Sequence, residues 1–268
     1  MGDIRPRPPQ LRPGRALAHT TGASGSGSPH RSDSRPPQTP RGARPSDPDG
    51  RLGTTPPVPG RPTSLSLLLG LPALLFALIT WQVVADGPLV GLDEAASRAL
   101  IHPDRRSELL ADLGNVQVAV PVLGAVLAYV TWRTRRRAGT DHWWWPAAAA
   151  AVLMALVPAL IVPLKELTDR PGTPVVPPGT GYYPSGHTAT AAVAYGAATM
   201  LLLPWLSSLP ARRALLVICA ALNLGVGFGL VRRGYHWPLD VVASWCLCAV
   251  LLALLWLFLS RGTPARRR

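Results

Sequence analysis

Six long apolar runs, separated by short polar segments, dominate the sequence from about residue 64 onwards. Each run is about 20 residues long, the length that a membrane-spanning helix needs. The runs cover 64–84, 114–132, 144–164, 186–206, 214–231 and 239–260. The fourth and fifth are rich in Gly, Ala, Ser and Thr, which lets membrane helices approach one another closely. The pattern predicts an all-α protein, a six-transmembrane-helix bundle.

The segments outside the runs differ sharply in composition. Residues 1–62 contain 14 prolines, 9 glycines and ten arginines with almost no aliphatic clusters. Such a segment cannot bury enough apolar area to offset its ordering entropy, so we predict a disordered cytoplasmic tail. The six-span domain then covers 63–261, and a short basic tail covers 262–268.

The distribution of charge predicts an orientation in the membrane. The chain has 27 basic and 14 acidic residues, a formal net charge of +13. With a cytoplasmic amino terminus, 20 of the 27 basic residues face the cytoplasm and 9 of the 14 acids face outwards. This asymmetry follows the positive-inside rule, so both termini are expected in the cytoplasm of a cell-membrane protein. The arginines form no aromatic-interleaved basic face, and a nucleic-acid partner is not expected.

The first outer loop contains two short amphipathic segments. Leu92–Leu100 and Ser107–Leu113 alternate apolar and charged positions at helical spacing. Such segments are typical of helices that lie along the membrane surface.

A helix-start signal precedes the fourth run, in Tyr183–Thr188. Ser185 is a plausible N-cap, and a helix N-terminus offers free N–H groups that suit a phosphate. Gly186 allows the backbone to come close to an anion. His187 then lies in the first turn, beside any anion bound there. A histidine at a helix start is also common as a simple polar boundary residue.

A second histidine motif precedes the sixth run. His236 and Asp240 are spaced i, i+4, which places both side chains on one helix face. A carboxylate that bonds one imidazole nitrogen orients the ring and leaves the other nitrogen free to attack or to transfer a proton. A purely structural pairing is the alternative, but a buried acid in a membrane span is costly and often functional.

Several cations share the predicted outer side with these histidines. Lys165 is the only lysine of the chain and lies at the outer end of the third run, followed by Arg170. Arg232 and Arg233 follow the fifth run. Such cations can clamp a phosphoryl group, although snorkelling to the interface also explains them. No run of carboxylates suggests Mg²⁺ or Zn²⁺, so no metal cofactor is expected.

In combination these motifs resemble the phosphatidic acid phosphatase type 2 superfamily, which is related to vanadium haloperoxidases. Pro184–His187 matches the family's Pro-Ser-Gly-His motif in full, and His236 and Asp240 match the end of its third motif. Lys165 matches the start of the first motif. The six spans place the chain nearer to the membrane lipid phosphatases than to the soluble haloperoxidases.

Two departures concern the arginines of the family. Arg170-Pro171 come two positions before the place of the family's Arg-Pro. In the third motif Leu230 stands where the family has arginine, and Arg232 and Arg233 lie closer to the histidine. Long arginine side chains could still reach the phosphate from these positions.

The resemblance implies a phosphatase that acts on a lipid through a phospho-histidine. By it, His236 is the nucleophile, Asp240 orients it and His187 protonates the leaving group. The phosphate-binding groups would be Lys165, Arg170, Ser185, Gly186, Arg232 and Arg233. The implied substrates are a polyprenyl diphosphate such as undecaprenyl diphosphate, a phosphatidate or a phosphatidylglycerol phosphate, met at the outer face.

Two other functions stay open at this point. The same residues would serve a phosphotransferase in which a lipid alcohol replaces water. The displaced arginines also fit a non-catalytic member that binds phospholipid or scaffolds a partner. The sequence leaves the choice of lipid and the oligomeric state open.

Overall fold

The computed structural model describes residues 62–137 and 142–262, which are helical apart from connecting loops. Apart from their boundary residues, the predicted tails at 1–62 and 262–268 lie outside these described residues. The helices are α1 (Pro62–Val84), α2 (Pro88–Leu100), α3 (Arg105–Asp112), α4 (Val116–Arg135), α5 (Trp145–Thr168), α6 (Gly186–Leu202), α7 (Leu209–Arg232) and α8 (Pro238–Gly262). A short 3₁₀ turn, Leu203–Trp205, follows α6.

Six of these helices are long and apolar enough to cross a membrane: α1, α4, α5, α6 with its 3₁₀ turn, α7 and α8. The predicted six-span, all-α architecture is therefore confirmed, and the chain is a multi-pass membrane protein. Two helices extend beyond their apolar runs, because their terminal turns include basic residues. Lys165 lies inside α5, which continues to Thr168, and α7 begins at Leu209, before its two arginines. Long basic side chains allow this because their heads can reach the interface from within a helix.

Helix α6 forms the centre of the bundle and packs against α4, α5, α7 and α8. Nearly every residue from Thr188 to Leu201 is buried. Its small side chains make this close packing possible, as the sequence predicts. At Gly196 an added Cβ would lie 2.5 Å from a methyl group of Leu252 in α8, so a larger residue would force Leu252 to shift.

Helix α1 lies at the edge of the bundle, packed on α8. Its outer face presents leucines such as Leu67, which is 65% exposed. A hydroxyl–hydroxyl hydrogen bond of 2.7 Å joins Thr80 of α1 to the buried Tyr183. Exposed leucines on a spanning helix are the surface expected to face lipid tails.

The two short helices predicted between the first two spans exist, and α2 buries polar side chains. In α2 the buried residues are Asp93 and Ser97, whereas Leu92 is 67% exposed. Helix α3 packs on α7, where an added Cβ at Gly229 would lie 2.6 Å from the backbone nitrogen of Ala111. Leu109 of α3 is exposed, whereas Leu110 packs against Gly229.

Candidate active site

The start of α6 is tied to the start of α8, and this link brings the two histidine motifs together. The N–H of Ser185 donates to the carbonyl of Asp240 at 3.2 Å. The hydroxyl of Ser244 donates back to the carbonyl of Ser185 at 2.8 Å. Two bonds between the N-terminal ends of adjacent helices fix their relative height, and His187 and His236 are therefore held at one end of the bundle.

The histidine–aspartate pair has the geometry that its spacing predicts. Nδ1 of His236 lies 3.2 Å from Oδ2 of Asp240, and both residues are buried. His236 precedes α8, which begins at Pro238, so the pair joins a turn to a helix and does not share one helix face. The same carboxylate oxygen accepts the N–H of Trp237 at 3.1 Å. Asp240 also lies in the first turn of α8, where the helix dipole favours a negative charge.

Arg170 lies behind this pair and bridges two buried carboxylates. Its Nη1 donates to Oδ1 of Asp240 and its Nη2 to Oδ2 of Asp93, each at 2.6 Å. The side chains of all three residues are at most 5% exposed. The guanidinium also lies 5.5 Å from the ring centroid of Trp237. Sequence reasoning assigned Arg170 to the phosphate, but in the structure both ends of its fork are occupied by carboxylates.

Asp93 is the member of this network that sequence reasoning missed. Its second oxygen accepts the N–H of Leu239, in the first turn of α8, at 2.8 Å. Burial raises the pKa of Asp93, an effect that the Arg170 guanidinium opposes. The signal for this residue is its i, i+4 spacing from Ser97, which places two polar side chains on one face of α2.

One cavity of about 980 Å³ contains both histidines and the sole lysine. Its polar end is lined by Lys165, Tyr182, Gly186, His187, Thr190, Tyr235 and His236. The rest is lined mainly by apolar side chains of α4 and α5, from Val116 to Leu127 and from Ala151 to Val162. The cavity thus combines a cationic, imidazole-lined end with an apolar extension between two spanning helices.

The first turn of α6 borders the polar end of the cavity. Ser185 is fully buried, and its hydroxyl oxygen accepts the N–H of Thr188 at 3.3 Å, so it serves as the predicted N-cap and does not line the cavity. Gly186 does line it, and an added Cβ there would meet Ile161 no closer than 3.9 Å. The space in front of Gly186 therefore belongs to the cavity, and an anion placed there would face the N-terminal end of the helix.

The two arginines at the end of α7 have other partners. Nε of Arg232 donates to Asp104 at 3.1 Å, and a hydrogen bond of 3.0 Å joins Arg233 to the hydroxyl of Tyr235. Neither arginine lines the cavity. Hydrogen bonds from the N–H of Ser107 and from Arg232 lower the pKa of Asp104 to about 2. The bond between Asp104 and Arg232 links the start of α3 to the end of α7, a structural role that the sequence motif did not suggest.

Three residues at the polar end of the cavity were absent from the sequence-based site: Tyr182, Thr190 and Tyr235. The ring of Tyr182 stands edge-on to that of His236, with centroids 6.2 Å apart. The sequence signal for these residues is only their nearness to the two histidine motifs. Tyr182 and Thr190 flank His187, and Tyr235 directly precedes His236.

Metal ligation has no counterpart among the described residues. Within 62–137 and 142–262, no three His, Cys, Asp or Glu side chains come together as metal ligands could.

Comparisons with known proteins agree with this arrangement. The family model described as PAP2 superfamily matches residues 146–264, which include both histidine motifs and nearly all of α5 to α8. This match confirms the resemblance predicted from the motifs. The solved structure of a transmembrane PAP2-type phosphatidylglycerolphosphate phosphatase from Bacillus subtilis is similar with a TM-score of 0.61 and 24% identity, covering 73% of this chain and 98% of that one. At that identity the likeness shows a shared fold. No curated protein matches the sequence.

Proposed function

We propose that this chain, whose residues 146–264 match the PAP2 superfamily, is an integral-membrane phosphatase that removes phosphate from a lipid. The observation that carries the proposal is the cavity in which His187, His236 and Lys165 meet beside an apolar extension. Two imidazoles and a cation suit phosphoryl transfer, whereas the apolar part suits a hydrocarbon tail. A water-soluble phosphate ester would leave that part unfilled.

The phosphoryl group is placed between the ammonium group of Lys165, the two imidazoles and the first turn of α6. Lys165 balances the charge of the phosphate oxygens, and the cavity-lining Gly186 leaves room for them next to the helix end. Arg170, Ser185, Arg232 and Arg233 do not line the cavity, so they act on its shape and charge from outside.

The hydrogen bond between His236 and Asp240 determines which nitrogen of His236 can react. Because Nδ1 faces Asp240, Nε2 is the nitrogen available to attack phosphorus. The N–P bond forms as the P–O bond to the lipid breaks, and His187 donates a proton to the departing lipid oxygen. Water then attacks phosphorus, His187 takes a proton from it, and the N–P bond breaks to release inorganic phosphate and the free imidazole. Asp240 stabilises the positive charge that forms on His236.

The candidate substrates are a phosphatidate, a phosphatidylglycerol phosphate and a polyprenyl diphosphate. The similarity to a phosphatidylglycerolphosphate phosphatase makes the second the first lipid to assay. All three combine a phosphate group with long tails, and the groove between α4 and α5 would receive a tail from the side.

The test is phosphate release by the purified protein from these three lipids in detergent micelles. We expect release from at least one of them, and loss of release in His236→Ala and His187→Ala. His102→Ala is the matched control, since His102 is exposed in the loop between α2 and α3 and does not line the cavity. Activity that persists in both cavity variants would overturn the assignment.

The site is proposed to open at the outer face of the membrane. The support is the excess of basic residues at the other end of the spans, which the positive-inside rule assigns to the cytoplasm. The test starts from a variant whose three native cysteines are changed to serine. A single cysteine is then introduced in place of His102, near the cavity end, or of His142, at the opposite end of the spans. A membrane-impermeant maleimide should label the first in intact cells and the second only after permeabilisation. The reverse pattern would place the site inside.

A second candidate function is phospholipid binding without catalysis. The observation in its favour is that Arg170, Arg232 and Arg233, the arginines nearest to the family's motif positions, have protein partners. Saturable lipid binding with no phosphate release from any of the three lipids would establish it. Phosphotransfer uses the same residues, and adding a lipid alcohol acceptor would reveal it as phosphorylated acceptor in place of free phosphate.

A further inference from the structure

Helix α2 supplies a buried carboxylate to the reaction centre from outside the matched family region. Asp93 is 4% exposed, and both of its oxygens are bonded. One accepts from Arg170 and the other from the N–H of Leu239. It lies outside residues 146–264 and does not line the cavity. A carboxylate buried with both oxygens satisfied, in a helix whose leucines are exposed, indicates a specific role.

A continuous chain of hydrogen bonds runs from Asp93 to the proposed nucleophile. Asp93 bonds Arg170 at 2.6 Å, Arg170 bonds Asp240 at 2.6 Å, and Asp240 lies 3.2 Å from Nδ1 of His236. Each bond fixes the orientation of the next group. The planar fork of arginine suits this bridge because its two nitrogens reach two carboxylates at once.

The charges along this series of hydrogen bonds give Asp93 a second, electrostatic effect on His236. With Arg170 alone, the guanidinium would balance Asp240 and weaken the support that this carboxylate gives to a cation on His236. A second carboxylate on the far side of the guanidinium leaves negative charge in excess. That excess is balanced when His236 becomes positive during the reaction.

We propose that Asp93 is a positioning residue, which acts through Arg170 and Asp240 to orient His236 and to balance the charge that forms on it. The inference rests on the proposed phosphatase function. It predicts that Asp93 governs the rate of the chemical step and leaves substrate binding largely unchanged, because its side chain lies outside the cavity.

The variant Asp93→Asn tests this, since the amide keeps an oxygen for Leu239 but loses the charge that pairs with Arg170. We expect kcat to fall about 10–100-fold, by analogy with residues that orient the ligands of a metal through hydrogen bonds, with KM changed less than about twofold. Glu94→Gln is the matched control: Glu94 is the next residue on α2, half-exposed, and pairs with Arg98 at 3.6 Å. Its kcat should equal that of the wild type. Asp93→Glu restores the charge and should recover part of kcat.

The assay uses phosphatidylglycerol phosphate and phosphatidate in detergent micelles, with activity expressed per folded protein from size-exclusion chromatography. A folded Asp93→Asn variant with wild-type kcat, or a loss confined to KM, would overturn the positioning role. If that variant does not fold, Arg170→Lys decides, because lysine cannot bridge both carboxylates: a wild-type kcat there overturns the proposal and a reduced kcat with unchanged KM supports it. A wild-type protein that releases no phosphate contradicts the proposed function itself.

Discussion

Arg170 at one end of the helix bundle and the arginines at the other end have different kinds of partner. At the cavity end, Arg170 is 5% exposed and bonded to two buried carboxylates. At the other end, the arginines that close α4 are exposed and lie over aromatic rings. We call this second region the arginine–tryptophan end; it comprises Arg133, Arg135, Arg136, Arg137, Trp132, Trp143 and Trp205.

The difference separates reaction chemistry from membrane anchoring. Trp205 contacts both Arg133 and Arg137, whose guanidinium carbons are 5.0 and 4.2 Å from its ring centroid. Aromatic rings with adjoining cations are typical of the membrane–water interface, where they are solvated. A buried guanidinium between carboxylates is costly to build and cannot move freely. Under the proposed function, the same residue type positions a reactive group at one end, and we expect it to meet the headgroup region at the other.

The largest expected difference between the ends is catalytic. His236→Ala removes the proposed nucleophile and should lower kcat at least about 10³-fold, as removing a member of a catalytic triad does. His142→Ala changes the same residue type at the arginine–tryptophan end and should leave phosphate release unchanged. Equal activities of the two variants would remove the functional distinction between the ends.

Stability should distinguish the two kinds of arginine. Arg170→Ala leaves Asp93 and Asp240 buried without their cation and should cost about 3–5 kcal/mol of unfolding free energy. Arg137→Ala removes an exposed cation–π contact and should cost at most about 1 kcal/mol. Unfolding of both variants in the same detergent measures the difference. Similar losses of unfolding free energy in the two variants would show that the buried network stabilises the fold no more than the exposed contact does.

A methyl group at Gly186 tests where the phosphate lies. An added Cβ meets no protein atom closer than 3.9 Å, and alanine favours a helix, so Gly186→Ala should fold normally. We expect kcat/KM to fall about tenfold because the methyl group enters the phosphate space. Gly70→Ala in α1, where an added Cβ meets nothing within 4 Å, is the control. Full activity of Gly186→Ala would move the phosphate away from the start of α6.

The smallest effect concerns the pair between Asp104 and Arg232 beside the cavity end. The pKa of Asp104 is lowered from 3.8 to about 2, so its ionised form favours the folded protein. That contribution is complete above the ordinary pKa and is lost as the pH falls towards about 2. The melting temperature of Asp104→Asn should therefore lie below that of the wild type near neutral pH. The difference between the two melting temperatures should disappear between about pH 4 and pH 2. A difference in melting temperature that grows as the pH falls would contradict this.

The sequence predicted the spans and the histidine motifs because both depend on local patterns. Twenty-residue apolar runs define spans by length, and the i, i+4 spacing of His236 and Asp240 limits their separation. The partners of the arginines were not predictable in this way. Arg170 meets Asp93 across 77 positions of sequence, and Arg232 meets Asp104 across 128. Only the packing of α2 and α3 against the spans brings those groups together.

Direct trapping of the phospho-enzyme tests the central claim most closely. The purified protein is incubated briefly with a lipid substrate carrying ³²P in its phosphate, quenched in alkaline detergent and digested. We predict an alkali-stable, acid-labile label on the peptide that contains His236, absent from His236→Ala. A turning-over enzyme with no covalent label, or the same label in His236→Ala, would contradict the account.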